Sequence, residues 1–221
     1  LLAELYPSAE HALAWIERRL DHGDGFLRYK RAHTRGLENQ GWKDSRDGVS
    51  FPDGRIAEPP IALVEVQGYV VAALNAMGRL CRRRGDVRKG TRLHKRAAAL
   101  RRRIDEAFFV PATRYYALAL DGEGRRVETI TSNPGHLGFT GAFLDEARAA
   151  RACEVLMSDA LYSGFGVRTL ARGQAVYNPL SYHNGSVWPH DNALCAMGMA
   201  ETGHGDAALA ILDGLYAAAL H

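Results

Sequence analysis

The sequence predicts an all-α protein built as a toroid of helical hairpins, present as a partial ring that carries one small β-hairpin. Two observations predict it. Helical patterns alternate between segments that are apolar on nearly every side, 59–84 and 188–200, and segments with one solvated face, 8–20, 86–108 and 206–220. A helix apolar all round must be covered all round, whereas an amphipathic helix packs on one side. That alternation is what concentric inner and outer rings of helices require. Second, long polar connections lead into the apolar helices and only one hairpin interrupts the helical pattern, so a doubly wound α/β fold fits poorly.

Taken in order, Ser8 after Pro7 is a suitable N-cap for a first helix to Leu20, with Ala12, Trp15, Ile16 and Leu20 on one face and Gly23 as the stop. Residues 24–58 are rich in Gly, Asp, Arg and Asn, with one strand-like piece at Phe26 to Tyr29. A connection of this length is more often functional than idle. Pro59 and Pro60 open the first buried helix, which continues to about Arg84 and stops at Gly85. In the next helix Leu93, Ala97, Leu100, Ile104 and Phe108 recur at helical spacing and leave the arginines outside.

Arg114 to Leu120, a turn over 121–124, and Arg126 to Thr131 form the hairpin, which Asn133-Pro134-Gly135-His136 breaks. A short helix near Gly138 to Leu144 and another from about Asp145 to Met157 precede a second polar loop, Tyr162 to Val187. Trp188-Pro189 then opens the second buried helix, whose first turn carries His190, Asp191 and Asn192. An amphipathic helix from Asp206 to Leu220 follows, with Ala207, Ile211 and Leu215 inward.

Composition narrows the function classes. At 221 residues, 47% hydrophobic and 24% charged, the chain has ordinary globular composition. Glu65 and Gln67 interrupt its longest apolar run below membrane-spanning length, so no membrane partner is expected. Leu1-Leu2-Ala3-Glu4-Leu5 has neither a basic region nor an initiator Met and reads as the cut end of a longer chain. Cys81, Cys153 and Cys195 are odd in number and far apart; free thiols in a cytoplasmic protein are the simplest account, and no spacing suggests a metal. Basic residues crowd between Arg79 and Arg103, as a nucleic-acid-binding helix would have them. No aromatics alternate with them, so a solvated outer face is preferred and no nucleic-acid partner is expected.

The chemistry-bearing residues lie in the two polar loops and in the helices they enter. Trp42 and Asp44 share a Gly-containing loop, a composition suited to a sugar-binding surface with one acid; an Asx-turn or N-cap role is the lesser reading of Asp44. Glu65 and Gln67 sit inside an otherwise apolar helix, where a carboxylate is costly unless it meets a wet cavity or a partner. Trp42 and Trp188 offer broad π faces for stacking, or fill the core. His136, Tyr182, His183, Asn184 and His190 gather at loop-to-helix junctions, where unsatisfied helix N–H groups also orient ligands.

Five ordered blocks carry a family resemblance: Gly41-Trp42-Lys43-Asp44-Ser45, Pro60 to Tyr69, Thr131 to Leu137, Gly164 to Leu170, and Tyr177 to Asn192, the last being the most specific. From about Asp24 onward the chain resembles the catalytic domain of bacterial amylo-α-1,6-glucosidases, the glycogen-debranching type. These group with trehalases, glucoamylases and mannosylglycerate-hydrolase-like enzymes. The resemblance implies an (α/α)6 toroid, the six-hairpin glycosidase fold, and an inverting hydrolase of α-glucosidic linkages. Such an enzyme uses one carboxylic acid to protonate the leaving oxygen and one carboxylate to activate water.

On this resemblance Asp44 is the general acid. Trp42, Glu65, Gln67, His136, Tyr182, Asn184, Trp188 and His190 contact a carbohydrate substrate, and neither metal nor organic cofactor takes part. Lys43 stands where some members of the wider clan carry Asp directly after Trp. The family's second carboxylate lies in a Glu-containing segment beyond the helix pair after Trp188-Pro189-His190, and neither Glu201 nor Asp191 matches it. Residues 1–221 are therefore expected to be one partial catalytic domain, with helices missing at both ends and the rest of the polypeptide needed to complete the ring. A carbohydrate-binding remnant without the base, a hydrolase of a small compatible-solute glucoside, and a polyanion binder are the competing readings.

Overall fold

The computed structural model describes residues 2–220. Helix α1 (Leu2–Asp21) begins well before the expected cap at Ser8 and carries Pro7 inside it. A proline forfeits one backbone hydrogen bond there. Tertiary contacts of the first turns oppose that loss: the Tyr6 hydroxyl lies 3.4 Å from Cys81 Sγ and the Arg84 guanidinium lies over its ring.

The prolines at 59 and 60 do not open the buried helix either. Ala62–Leu63 first forms strand β1, and α2 (Val64–Arg83) starts only after it, where Val64 N donates to Leu118 O. Helix α3 (Val87–Phe108) follows across a three-residue turn, 84–86, in which Gly85 takes φ +91° and Asp86 caps the new helix by accepting from Lys89 N. So short a connection makes α2 and α3 a helical hairpin. Their backbones cross closely, since a Cβ on Gly90 would lie 2.6 Å from Gly78 O. The expected inward stripe of α3, from Leu93 to Phe108, is buried.

Part of the basic face of α3 is covered by α1. Lys89 pairs with Glu10, Arg92 and Arg96 with Glu17, and Arg96 also with Asp21.

The hairpin expected over 114–131 forms across the 121–124 turn, but its first part, Tyr115–Tyr116, pairs elsewhere. Strand β2 (Phe109–Val110) leaves α3 and pairs antiparallel with β3 (Tyr115–Tyr116), while β4 (Ala119–Leu120) joins β1 on one side and β5 (Arg126–Val127) on the other. Next, Asn133–Leu137 winds into a 3-10 helix where a break was expected, and residues 138–144 turn without forming the expected helix. Helix α4 (Glu146–Leu156) is capped by Asp145, which accepts from Arg148 N. Helices α5 (Pro189–Glu201) and α6 (Gly205–Ala219) form the second helical hairpin.

Helix α6 departs from its expected amphipathic character. Ile211 is fully buried, yet Leu209, Leu212 and Tyr216, with Leu220 just beyond, are exposed on another side, so α6 is apolar on two faces.

The apolar residues gather in separate clusters. One joins α1, α2 and α3; a second joins α4, α5 and α6 with Leu161 and Val167; a smaller one backs the three-stranded sheet. The 3-10 helix is wedged between the two hairpins, packing on α2 and on α5.

Candidate active site

Both inner helices deliver a carboxylate from their first turn to the 3-10 helix. Glu65 of α2 and Asp191 of α5 are fully buried on either side of it. Glu65 Oε1 accepts from Asn133 Nδ2 at 2.9 Å, and Asp191 Oδ1 accepts from His136 Nε2 at 2.8 Å. His136 Nδ1 meets the Tyr69 hydroxyl at 2.6 Å, completing a chain from α2 through the 3-10 helix to α5. Lys43 joins this layer from the first polar loop: it is 3% exposed, and its ammonium donates to Thr169 O at 2.5 Å.

Burial dominates the electrostatics. It pushes the Glu65 carboxyl up, against the opposing pull of His136, the Asn133 hydrogen bond and Lys43. It brings the Lys43 ammonium down to about 8, although Asp191, Glu65 and Cys195 favour its charge. Cys195 and Tyr69 are both pushed well up by the same desolvation. His136, Asp191 and Cys195 bring ligand-type atoms within 4.8 Å of one another. His136 Nε2 is already engaged there by Asp191, and the nearby Lys43 ammonium supplies positive charge. The set therefore reads as a hydrogen-bonded relay rather than a metal cage. Glu65 Oε2, Asn133 Oδ1 and Asp191 Oδ2 are buried acceptors without a partner, and Trp42 Nε1 is a buried donor without one, so the layer's own groups leave polar capacity of both kinds unused.

Above this floor stands an aromatic cluster centred on Trp42. Its ring stacks on His136 at 6.0 Å and 28°, and meets His183, His190 and Trp188 edge-on at 5.5–6.3 Å. Trp188, the residue before α5, donates its Nε1–H to Tyr182 O at 2.7 Å and stacks on His183. Tyr182 is 63% exposed and packs edge-on against Trp188. Asp44 lies at the rim of this cluster with its side chain 48% exposed and Oδ1 4.0 Å from His183 Nδ1. Burial, reinforced by Lys43, holds His183 below the usual imidazole range.

The residues expected at the site thus fall into three groups. Trp42, His136, Tyr182, Trp188 and His190 come together in one aromatic cluster with Asp44 at its edge. Glu65 lies beneath it, and Asn184 braces the acid loop by donating from Nδ2 to Asp47 Oδ2 at 2.8 Å. Gln67 turns elsewhere: it accepts from Leu27 N and donates to Leu27 O and Leu63 O, all at 2.8–2.9 Å, which uses its amide on backbone. Lys43, Asn133, Asp191 and Tyr69 were not among the expected site residues. A signal existed for Lys43, because lysine is scarce in a chain otherwise rich in arginine. Asn133 and Tyr69 fall inside two of the motif blocks, but nothing there singles them out from their neighbours, and their roles depend on tertiary placement.

The model of the mannosylglycerate hydrolase MGH1-like glycoside hydrolase domain matches residues 1–221, the whole chain. The chain belongs to this family. It is a glycoside hydrolase domain, and the family model supports that class without the debranching specificity that the sequence motifs suggested. No curated protein matches the chain.

Among solved structures, a sialidase aligns with TM-score 0.72 and 14% identity over 96% of this chain and 19% of its own. The GH63 mannosylglycerate hydrolase from Thermus thermophilus aligns as its Tris complex with TM-score 0.61 and 17% identity, over 71% of this chain and 37% of its own. Its glucose complex gives TM-score 0.59 and 19% identity over 71% and 39%. At such identities the likeness concerns the fold, and with the helix order above it makes this MGH1-like domain a partial (α/α) toroid. The chain spans less than two fifths of the length of these GH63 structures. Among the described residues no helix is long and apolar enough to cross a membrane.

Proposed function

We propose that this MGH1-like domain contributes the acid half of an inverting glycoside hydrolase acting on a small α-linked hexoside. The observation that carries the reading is a half-exposed carboxylate, Asp44, at the edge of an aromatic platform of Trp42, Trp188 and Tyr182. Aromatic faces suit the apolar faces of a pyranose, and a carboxylic acid beside them can protonate the leaving glycosidic oxygen. Glu65 and Asp191 are poor candidates for the water-activating carboxylate, because both are wholly buried and each already accepts a hydrogen bond from the chain. The base is then contributed by other parts of a longer polypeptide, as the partial coverage of the GH63 neighbours accords with.

The family description favours a small glycoside such as a hexosyl-glycerate. An α-1,6-linked glucan is the second reading, supported by the Tyr177 to Asn192 motif.

Hydrolysis of mannosyl- and glucosylglycerate, isomaltose and a branched maltooligosaccharide should be measured for the longest active form and its Asp44→Asn variant. Asp44→Asn is expected to lose about 10²–10⁴-fold in kcat on substrates with poor leaving groups. It should lose much less on an activated aryl glycoside, whose departure needs no proton. Full activity of Asp44→Asn on every substrate would overturn the acid assignment.

A further inference from the structure

The loop bearing Asp44 is fastened to the second polar loop on both sides of that residue. Before it, Lys43 Nζ donates to Thr169 O; after it, Ser45 Oγ and His183 Nδ1 lie 2.9 Å apart, and Asp47 accepts from Asn184 Nδ2. Of the three ties the Lys43 bond is the one wholly buried. The groups near its ammonium come from several elements: Glu65 from α2, Asp191 and Cys195 from α5, and the Trp42 ring at 5.3 Å, while His183 in the second loop also feels its charge. His136 and Tyr69 complete the surrounding layer.

We propose that Lys43 is a positioning residue for the glycosidic reaction: its buried ammonium, bonded to the Thr169 carbonyl of the opposite loop, holds Trp42 and Asp44 in register with the second loop. The proposal rests on the reading of Asp44 as the acid. A buried ammonium is costly in itself, so its retention calls for more than packing. Placed here it does two things that an apolar side chain could not. It satisfies a carbonyl of the opposite loop, and it offsets the charge of carboxylates whose second oxygens have no partner in the chain. Loss of its proton leaves the hydrogen bond but removes the attraction to both acids. Burial brings that proton down to about 8 and pushes Cys195 and Tyr69 up away from this window and His183 down, but it also pushes the Glu65 carboxyl up toward it, so the Lys43→Arg comparison is what assigns a transition in mild alkali to Lys43.

The chain's lysines are Lys30, Lys43, Lys89 and Lys95, few enough for ε-carbon NMR of lysine-labelled protein, with Lys43 assigned by the signal missing from Lys43→Arg. The 221-residue chain should be titrated from pH 6.5 to 10 while amide exchange, corrected for its intrinsic pH dependence, is followed in the 38–48 loop and in α3. The expected result is a Lys43 midpoint near 8 and loss of loop protection through the same range, with α3 unchanged and with the loss absent from Lys43→Arg. Loop protection that ignores the Lys43 titration, or that survives intact in Lys43→Met, would overturn the proposal.

In an active form, Lys43→Met should lower kcat by about 10²-fold with little change in KM, as a misplaced acid would, and Lys43→Arg should move the alkaline limb upward. The exchange result does not depend on Asp44, so a fully active Asp44→Asn variant would sink the acid assignment without deciding the Lys43 tie.

Discussion

Glu65 and Gln67 are two residues apart on one buried helix, and a separation of two turns them to different sides of it. Glu65 faces the 3-10 helix and Asn133, whereas Gln67 clasps the backbone at Leu27 and Leu63. We expect Gln67→Leu to leave Leu27 N and O unpaired and to cost about 1–3 kcal/mol per orphaned group, read as a lower denaturant midpoint. Ligand binding by the remaining folded fraction should be unchanged. An unshifted midpoint with lost binding would instead make Gln67 a substrate contact. Sequence patterning flagged both side chains as anomalous in an apolar run, but it could not tell them apart, because the partners that distinguish them, Leu27 and Asn133, lie 40 and 68 residues away. Asp44, Trp42 and the aromatic residues of 182–190 were legible because they share short polar loops with Gly and Pro. Asn133 and Tyr69 were not, since each is an unremarkable residue until the 3-10 helix brings it to α2 or α5.

At the scale of elements, long helices with strong periodicity were legible and their ends were not. The stripe of α3 was readable from its spacing, while α1 runs through Pro7 and α2 waits for a strand pair after Pro60, both under tertiary contacts that local signals do not encode. The 3-10 helix escaped notice because Pro and Gly within it read as a break. Its seat depends on a close backbone approach: a Cβ on Gly198 of α5 would lie 2.8 Å from Phe139 N, and one on Gly138 equally near Gly198. Gly198→Ala is therefore expected to force α5 away from this turn and to lower stability by about 1–3 kcal/mol, with a matching fall in Tm. Gly205→Ala, where an added Cβ meets nothing within 4 Å, is the control and should leave Tm close to its starting value. Helix α6 looked amphipathic from Ala207, Ile211 and Leu215, but its other face carries Leu209, Leu212 and Tyr216, so apolar spacing alone did not reveal which side is covered.

For the molecule as a whole, two helical hairpins each own an apolar core, and what lies between them is a polar layer with buried acceptors left unpaired. Apolar cores give cooperative units their stability, and contiguous units can open at different free energies. In a Trp15→Phe background, the emission of Trp42 and Trp188 should change at a lower urea concentration than the helical signal near 222 nm. Coincident transitions would mean that the two hairpins melt as one. The family fold was legible at this scale from the alternation of helix types, because coverage of an all-apolar helix is a requirement of the whole molecule and leaves its mark along the entire chain. The placement of the 3-10 helix as a wedge between hairpins has a practical corollary for handling the protein. The order between the hairpins should be lost before their shape, so a warmed sample can keep its far-ultraviolet spectrum and elution volume while the emission of Trp42 and Trp188 has already changed, and storage conditions are better judged by that emission than by helicity.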